Sequence, residues 1–322
     1  MTPMAAPEVV APPLVAADDS RGRFGDSFFR TLTLAAGILI FGILALVSLY
    51  LIIESLAAIT ASPDKLSSGQ PFWAYVAPIA LGTLMCATIA IVLSTPVSIA
   101  VALFISHYAP ARVSKPVGYV IDILAAIPSV VFGAWGMTTF GPGLVPFYTW
   151  LSQVCAPIPG LNQVFGTAST TGRTLLTASI VLAIMILPII TSQCREIFIQ
   201  TPRLHEEAAL ALGSTKWDMI KATVFPFARN GIVSAVMLGL GRALGETMAV
   251  TLVLAPGILT ANLIGVGNMT IPAEIALNYP EAFGMRQSEL IAAGLILFVI
   301  TLGVNMIARW IVSRYAEFSG AN

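Results

Sequence analysis

Charge is scarce in this sequence. Only 10% of its 322 residues are Asp, Glu, Lys or Arg, sixteen of each sign, where a soluble globular domain carries about 25%. The formal net charge is zero, so no basic field points to nucleic acid. Cysteine is limited to Cys86, Cys155 and Cys194, far apart and outside any CxxC spacing, which argues against a disulfide framework or a zinc site. They read as small packing residues. Histidine is limited to His107 and His205, which fall in expected loops and read as solvated or capping side chains. A nucleotide-binding loop is missing too. The stretch LGSTKW lacks the GxxxxGK[ST] spacing, and GLGRALG reads GxGxxxG inside an apolar run. The chain is therefore expected to bind no metal or cofactor itself and to carry out no covalent chemistry. Strand alternation at barrel length is lacking, so any membrane spans should be helices.

Apolar residues are abundant, at 57%. A spanning helix needs about 20 of them in succession. Six stretches qualify: 32–53, 76–105, 117–138, 174–193, 231–254 and 289–312. Pro96 should kink the second or divide a short leading helix from it. Residues 1–31, with Pro3, Pro7, Pro12 and Pro13, read as a disordered tail, and 319–322 as a second tail. The first apolar run is too long and lies too far into the chain for a signal peptide, so it is expected to remain as an anchor.

Orientation follows from Lys and Arg. With the N-terminus inside, twelve fall on inner segments (Arg21, Arg23, Arg30, Arg112, Lys115, Arg195, Arg203, Lys216, Lys221, Arg229, Arg309, Arg314). Three fall on outer ones (Lys65, Arg173, Arg286), and Arg242 is left in the membrane. Both termini are predicted to be cytoplasmic. The outer segments 139–173 and 255–287 are long and proline-rich, with apolar patches such as VPFYTWL and MTIPAEIAL. They should dock or fold back rather than float.

The inner segment 194–230 is the most polar part of the chain. EEAALALG predicts a short amphipathic helix with Leu204, Ala208, Ala211 and Leu212 on one face. Gly213 should stop it, and Ser214 should cap a second short helix through Trp217 and Ile220, ended by Pro226. An apolar face that cannot bury itself either docks on a partner or lies on lipid headgroups.

In the fifth stretch, GLGRALGETMAV puts Arg242 and Glu246 where each costs about 2.5–3.5 kcal/mol. On a continuous helix they lie one turn apart on one face and can pair. Two readings stand: a structural ion pair that staples helices, or a polar path. Pairing alone gives no advantage over apolar residues, and a guanidinium fork suits oxyanions. Gly241 and Gly245 form a GxxxG ridge, with Gly239 nearby, against which a second helix could close. Thr88, Thr95 and Ser98 on the second span, and Ser129 after Pro128, are weaker path candidates.

Residues Glu207, Ala208, Ala209, Gly213 and Pro226 match in register the EAA loop of permeases of ABC importers, with Thr223 and Phe225 in place of its Ile and Leu. The loop resembles that family's coupling helices. The resemblance implies that Glu207 contacts an ATPase subunit, that Gly213 makes the turn, and that Trp217 lies on the coupling surface. LGLGRALGETMAVTLV (238–253) and AAIPSVVFGAWG (125–136) closely resemble segments of bacterial phosphate-specific transport (Pst) permeases, of the PstC type. NMTIPAEIA (268–276) does so less closely, and the likeness covers about residues 25–318.

It implies an all-α, six-span, type I ABC importer permease of the bacterial cytoplasmic (inner) membrane, moving phosphate by alternating access. Implied partners are a PstA-like second permease, two PstB-like ATPase subunits that hold ATP and Mg, and a PstS-like extracytoplasmic phosphate-binding protein. The path role carries over to Arg242 and Glu246. Inward movement of one negative charge against an inside-negative potential costs about 2.3 kcal/mol per 100 mV, and each tenfold of concentration adds about 1.4, so an energy source is required. The rivals are a permease for another oxyanion, such as molybdate or sulfate, and a membrane scaffold whose 194–230 loop binds a signalling protein.

Overall fold

A computed structural model describes residues 19–67, 69–257 and 260–316. The regular elements among them are helical: α1 (Asp19–Ile59), α2 (Phe72–Leu103), α3 (Ala111–Ala125), α4 (Ser129–Trp135), α5 (Gly141–Cys155), α6 (Leu161–Val164), α7 (Leu175–Ile199), α8 (Arg203–Ala211), α9 (Lys216–Met219), α10 (Phe225–Gly245), α11 (Met248–Val253), α12 (Ile271–Asn278) and α13 (Met285–Ala316). Five of these runs are long and apolar enough to cross a membrane, and a sixth is broken.

The chain divides into two units at Leu51. The first is helical from Asp19, so the expected tail 1–31 gives way to helix earlier than read, while residues 1–18 lie outside the described residues, as do the tail residues 319–322. Its apolar side chains, among them Leu39 and Phe41, are exposed.

The second unit holds the core. α7 is central, with two-thirds of its most apolar stretch buried. It packs on α2 through small or smooth residues: Ala87 and Ala90 face Ile186 and Ile190, all at most 1% exposed. Small residues let helices approach closely where lipid supplies no hydrophobic drive. Ser98 Oγ donates across this seam to the Leu187 carbonyl at 3.1 Å. Gly239 of α10 joins it, since a Cβ there would meet Ile190 Cδ1 at 2.7 Å.

Pro96 does not divide the second stretch: α2 is one helix through both Pro78 and Pro96, as membrane helices tolerate proline where neighbours can re-satisfy the freed backbone groups. The third stretch, by contrast, is not a single helix over 117–138. It breaks after α3 and bends by 87° before α4 and α5. Pro128 lacks an amide and holds Ile127 out of the helical region; Pro128 itself is extended, at ψ 137°.

The two long proline-rich segments fold back. Residues 139–173 contain α5 and α6, and Tyr148 of α5 is fully buried, with its hydroxyl 2.8 Å from Thr177 Oγ1. Gly172 lies so close to Gly141 that a Cβ would clash with its carbonyl, and Gly172 sits at φ +71°. In 255–287, the Ile271 amide at the start of α12 donates to Thr83 Oγ1 of α2 at 2.9 Å.

Candidate substrate path and coupling surface

The fifth stretch breaks at its charged motif. α10 ends at Gly245, and Glu246 is extended, with φ −68° and ψ 123°. The intact-helix geometry that would pair Arg242 with Glu246 is therefore gone, and no ion pair joins them among the described residues. Glu246 is 9% exposed, and its Oε1 accepts the Ala249 amide at 3.2 Å. It caps the first turn of α11, where a carboxylate also meets the positive end of the helix dipole. Thr247 Oγ1 bonds back to the Gly245 carbonyl at 3.2 Å, so the two polar residues satisfy backbone groups that the break releases.

Arg242 stands in the last turn of α10 and is exposed. It lines a cavity of about 920 Å³ bounded by α10, α13 and Ile189 of α7. The glycine ridge divides by function. Gly239 receives α7, whereas a Cβ on Gly241 or Gly245 would meet nothing within 4 Å. That part of the ridge is unoccupied by this chain.

The two broken stretches meet. A Cβ on Gly133 of α4 would lie 2.7 Å from Ala249 Cα of α11, and one on Gly136 would lie 2.8 Å from Val253. Ser129 opens α4 as a half-buried residue beside this crossing. Arg173 secures the far end of α11, donating from Nη2 to the Leu254 carbonyl at 2.6 Å. Thr95 lies one turn along α2 from Ile91, which approaches Gly239, and its buried Oγ1 has no hydrogen-bond partner.

At the polar loop, α8 spans Arg203–Ala211, and Gly213, at φ +85°, reverses the chain while its amide bonds the Leu210 carbonyl at 3.0 Å. The second helix is capped by Thr215, not Ser214: Thr215 Oγ1 accepts the Asp218 amide at 3.2 Å. Pro226 does not end it. The chain passes through a wide turn at Ile220–Val224 straight into α10, with Pro226 in its first turn, where a missing amide costs nothing. Glu207 and Ala208 are exposed and Ala209 is half-buried. Leu204, Leu212 and Trp217 are 74%, 89% and 46% exposed.

What ties this loop to the bundle was not read from the sequence. His107 is largely buried, not a solvated loop residue. Its Nε2 lies 3.5 Å from Glu206 Oε1, and Lys216 Nζ donates to the His107 carbonyl at 3.3 Å. At the other end, Arg286 bonds Glu274 at 2.9 Å and Glu289 at 3.0 Å. Glu274 also accepts from the Tyr75 hydroxyl at 2.7 Å, and Glu289 from the Ser67 amide at 2.6 Å. The one sequence signal for this cluster was the i,i+3 spacing of Arg286 and Glu289.

Residues 94–317 match the family model of the binding-protein-dependent transport system inner membrane component. The phosphate transport system permease protein PstC 2 of Mycobacterium tuberculosis is 38% identical over 320 residues, 95% of this chain and 97% of that protein. PstC of Mesorhizobium japonicum is 36% identical over 304 residues, 92% of each. Among solved structures, a bacterial ABC transporter that imports alginate matches with TM-score 0.60 at 19% identity, covering 91% of this chain and 99% of the other. An inward-facing MetNI methionine ABC transporter matches with TM-score 0.55 at 17% identity, covering 80% and 99%. These two establish an all-α, multi-span type I importer fold. The chain belongs to the family of binding-protein-dependent transport inner membrane components, among its PstC-type permeases.

Proposed function

We propose that this chain is the membrane permease subunit of an ATP-driven importer of inorganic phosphate, with Arg242 on the path of the anion. The observation that carries the reading is Arg242 itself: a guanidinium exposed in a cavity, released from Glu246 by the break after Gly245. It is free to meet an oxyanion with its planar fork. Glu246, by capping α11, shapes the break beside it. Ser129 at the crossing of α4 and α11, and the unpartnered hydroxyl of Thr95, are further path residues.

The chain is a subunit and catalyses no reaction of its own; ATP and Mg belong to a separate ATPase. The open ridge at Gly241 and Gly245 suits a helix of a homologous second permease. The exposed Glu207, Ala208 and Trp217, with Ala209 beside them and the turn at Gly213, suit docking on an ATPase subunit. An extracytoplasmic binding protein completes the importer. Six spans with both termini cytoplasmic, counting α3–α5 as one broken span, agree with the twelve-to-three distribution of basic residues.

The test is uptake of labelled phosphate at micromolar concentration in cells lacking this chain, supplied with wild type or variants at equal membrane level. Wild type restores uptake, and Arg242→Gln loses it by about tenfold or more, each tenfold being about 1.4 kcal/mol. Normal uptake by Arg242→Gln refutes the path role. Uptake of sulfate or molybdate in place of phosphate refutes the substrate. Glu207→Lys leaves folded permease in the membrane with little stimulated ATPase, and normal transport by it refutes the docking assignment.

A further inference from the structure

The cavity that holds Arg242 holds a second guanidinium. Arg309 of α13 lines it too, together with Asn305 and with Ser234, whose hydroxyl donates to the Asn230 carbonyl at 2.9 Å. Much of the remaining wall is apolar, as at Val233 and Leu238. From Ser234 to Arg242 the lining runs eight residues along α10, about 12 Å, so the cavity is long as well as wide.

Arginines used for packing in this chain are given acceptors. Arg286 has Glu274 and Glu289, Arg173 has the Leu254 carbonyl, and Arg195 has Asp122 at 3.9 Å. Arg242 and Arg309 are both exposed, and neither has a carboxylate within ion-pair distance among the described residues. Two cations on one partly apolar wall repel each other, and no carboxylate among the described residues pairs with either. The amide of Asn305 adds donors but no charge. Such a donor set matches a tetrahedral phosphoryl oxyanion, whose oxygens a guanidinium fork takes two at a time.

We propose that Arg309 and Asn305 form a second oxyanion station in this cavity, taking a phosphoryl group on the cytoplasmic side of Arg242. The proposal rests on the path role of Arg242 given above. In the orientation given there, Arg309 is seven residues, about 10 Å, from the cytoplasmic end of the helical part of α13 at Ala316, so the order is Arg242 first and Arg309 second. The phosphoryl group is either the phosphate in transit or the headgroup of an anionic lipid.

The test uses the complete importer, with this chain, its second permease, ATPase and binding protein, in proteoliposomes. ATP-driven uptake of labelled phosphate is measured per incorporated complex. Arg309→Gln lowers it by about tenfold, and Arg309→Lys, which keeps the charge but loses the fork, recovers most of it. Asn305→Asp is the second variant, nearly isosteric, and useful if Arg309→Gln fails to incorporate. Its carboxylate occupies Arg309 as an internal anion and lowers uptake as well. Normal uptake by Arg309→Gln or by Asn305→Asp in vesicles that contain phosphatidylglycerol overturns the station. If that happens while Arg242→Gln is blocked, the path role of Arg242 stands alone; if Arg242→Gln also transports normally, both fall. Vesicles of phosphatidylcholine, with and without phosphatidylglycerol, separate the two sources. A transit site gives the Arg309→Gln defect in both. A lipid site gives it only with phosphatidylglycerol, and wild type itself slows in the neutral vesicles.

Discussion

The break after Gly245 predicts that Arg242 and Glu246 are energetically independent. Consider Arg242→Gln, Glu246→Gln and the double variant. Glutamine at 246 still offers an oxygen to the Ala249 amide, so its cost is the lost charge at the start of α11, about 0.3–1 kcal/mol. Arg242 is exposed and has no carboxylate within ion-pair distance among the described residues, so its replacement costs no more than about 0.5 kcal/mol. The coupling between them should then be below about 0.5 kcal/mol, as for sites that share no partner. An intact helix with a buried pair gives another result: about 3–5 kcal/mol for either single change, most of it recovered in the double. Thermal unfolding read by a thiol-reactive fluorophore suits the comparison, because Cys86, Cys155 and Cys194 are all buried and report only on opening. At about 2 °C per kcal/mol for a chain of this size, each single variant loses about 2 °C or less. A loss above about 6 °C for either one, with little further loss in the double, would refute the broken-span geometry and restore the staple.

Glu289→Ala removes a 1% exposed carboxylate that gathers Ser67 and Arg286; it should cost about 3–5 kcal/mol by the same fluorophore assay, and a change under about 1 kcal/mol would show that the cluster is not structural. Gly133→Val drives a branched side chain into the backbone at Ala249; uptake should be lost at normal membrane level, whereas unaltered uptake would mean that α4 and α11 need not touch. Gly213→Ala places a Cβ at φ +85°, a strain of about 1–2 kcal/mol, and should weaken ATPase stimulation with little effect on thermal stability; full stimulation would show that the turn is not needed for docking.

The spans were readable because one force dominates them: a helix in lipid must be apolar for about 20 residues. The breaks were not, because there the contest is close. Pro96 and Pro128 are the same residue in similar apolar surroundings. One lies inside α2 and the other follows the end of α3, so the residue alone does not decide between the two outcomes. Gly245–Glu246–Thr247 contains no proline at all. Its helix stops because glycine is a poor helix former and the two side chains that follow bond backbone groups more readily outside a helix. Spacing alone assumed a helix there and produced a pair that does not form. Distance along the chain hid the rest. Tyr75 and Glu274 are 199 residues apart, and His107 meets Glu206 across about half that gap, so no local pattern could reveal either contact.

The break also bears on the role proposed for Arg242. A guanidinium in mid-membrane costs about 2.5–3.5 kcal/mol on insertion scales. Its place in the last turn of α10 returns some of that, since the helix dipole and the unsatisfied carbonyls of that turn favour a cation by about 0.3–1 kcal/mol. Those carbonyls exist only because the span is broken. The remainder, about 2 kcal/mol, has no source in an ion pair. What is left is the open cavity beside Arg242, which leaves room for water or an anion. A staple needs none of this: a dry, paired or apolar residue would pack the helices at least as well. A site that must hold an anion briefly and release it needs all of it. On the proposed path role, the break, the open cavity and the lack of a carboxylate partner among the described residues are one arrangement, which leaves the cation unpaired for an incoming oxyanion.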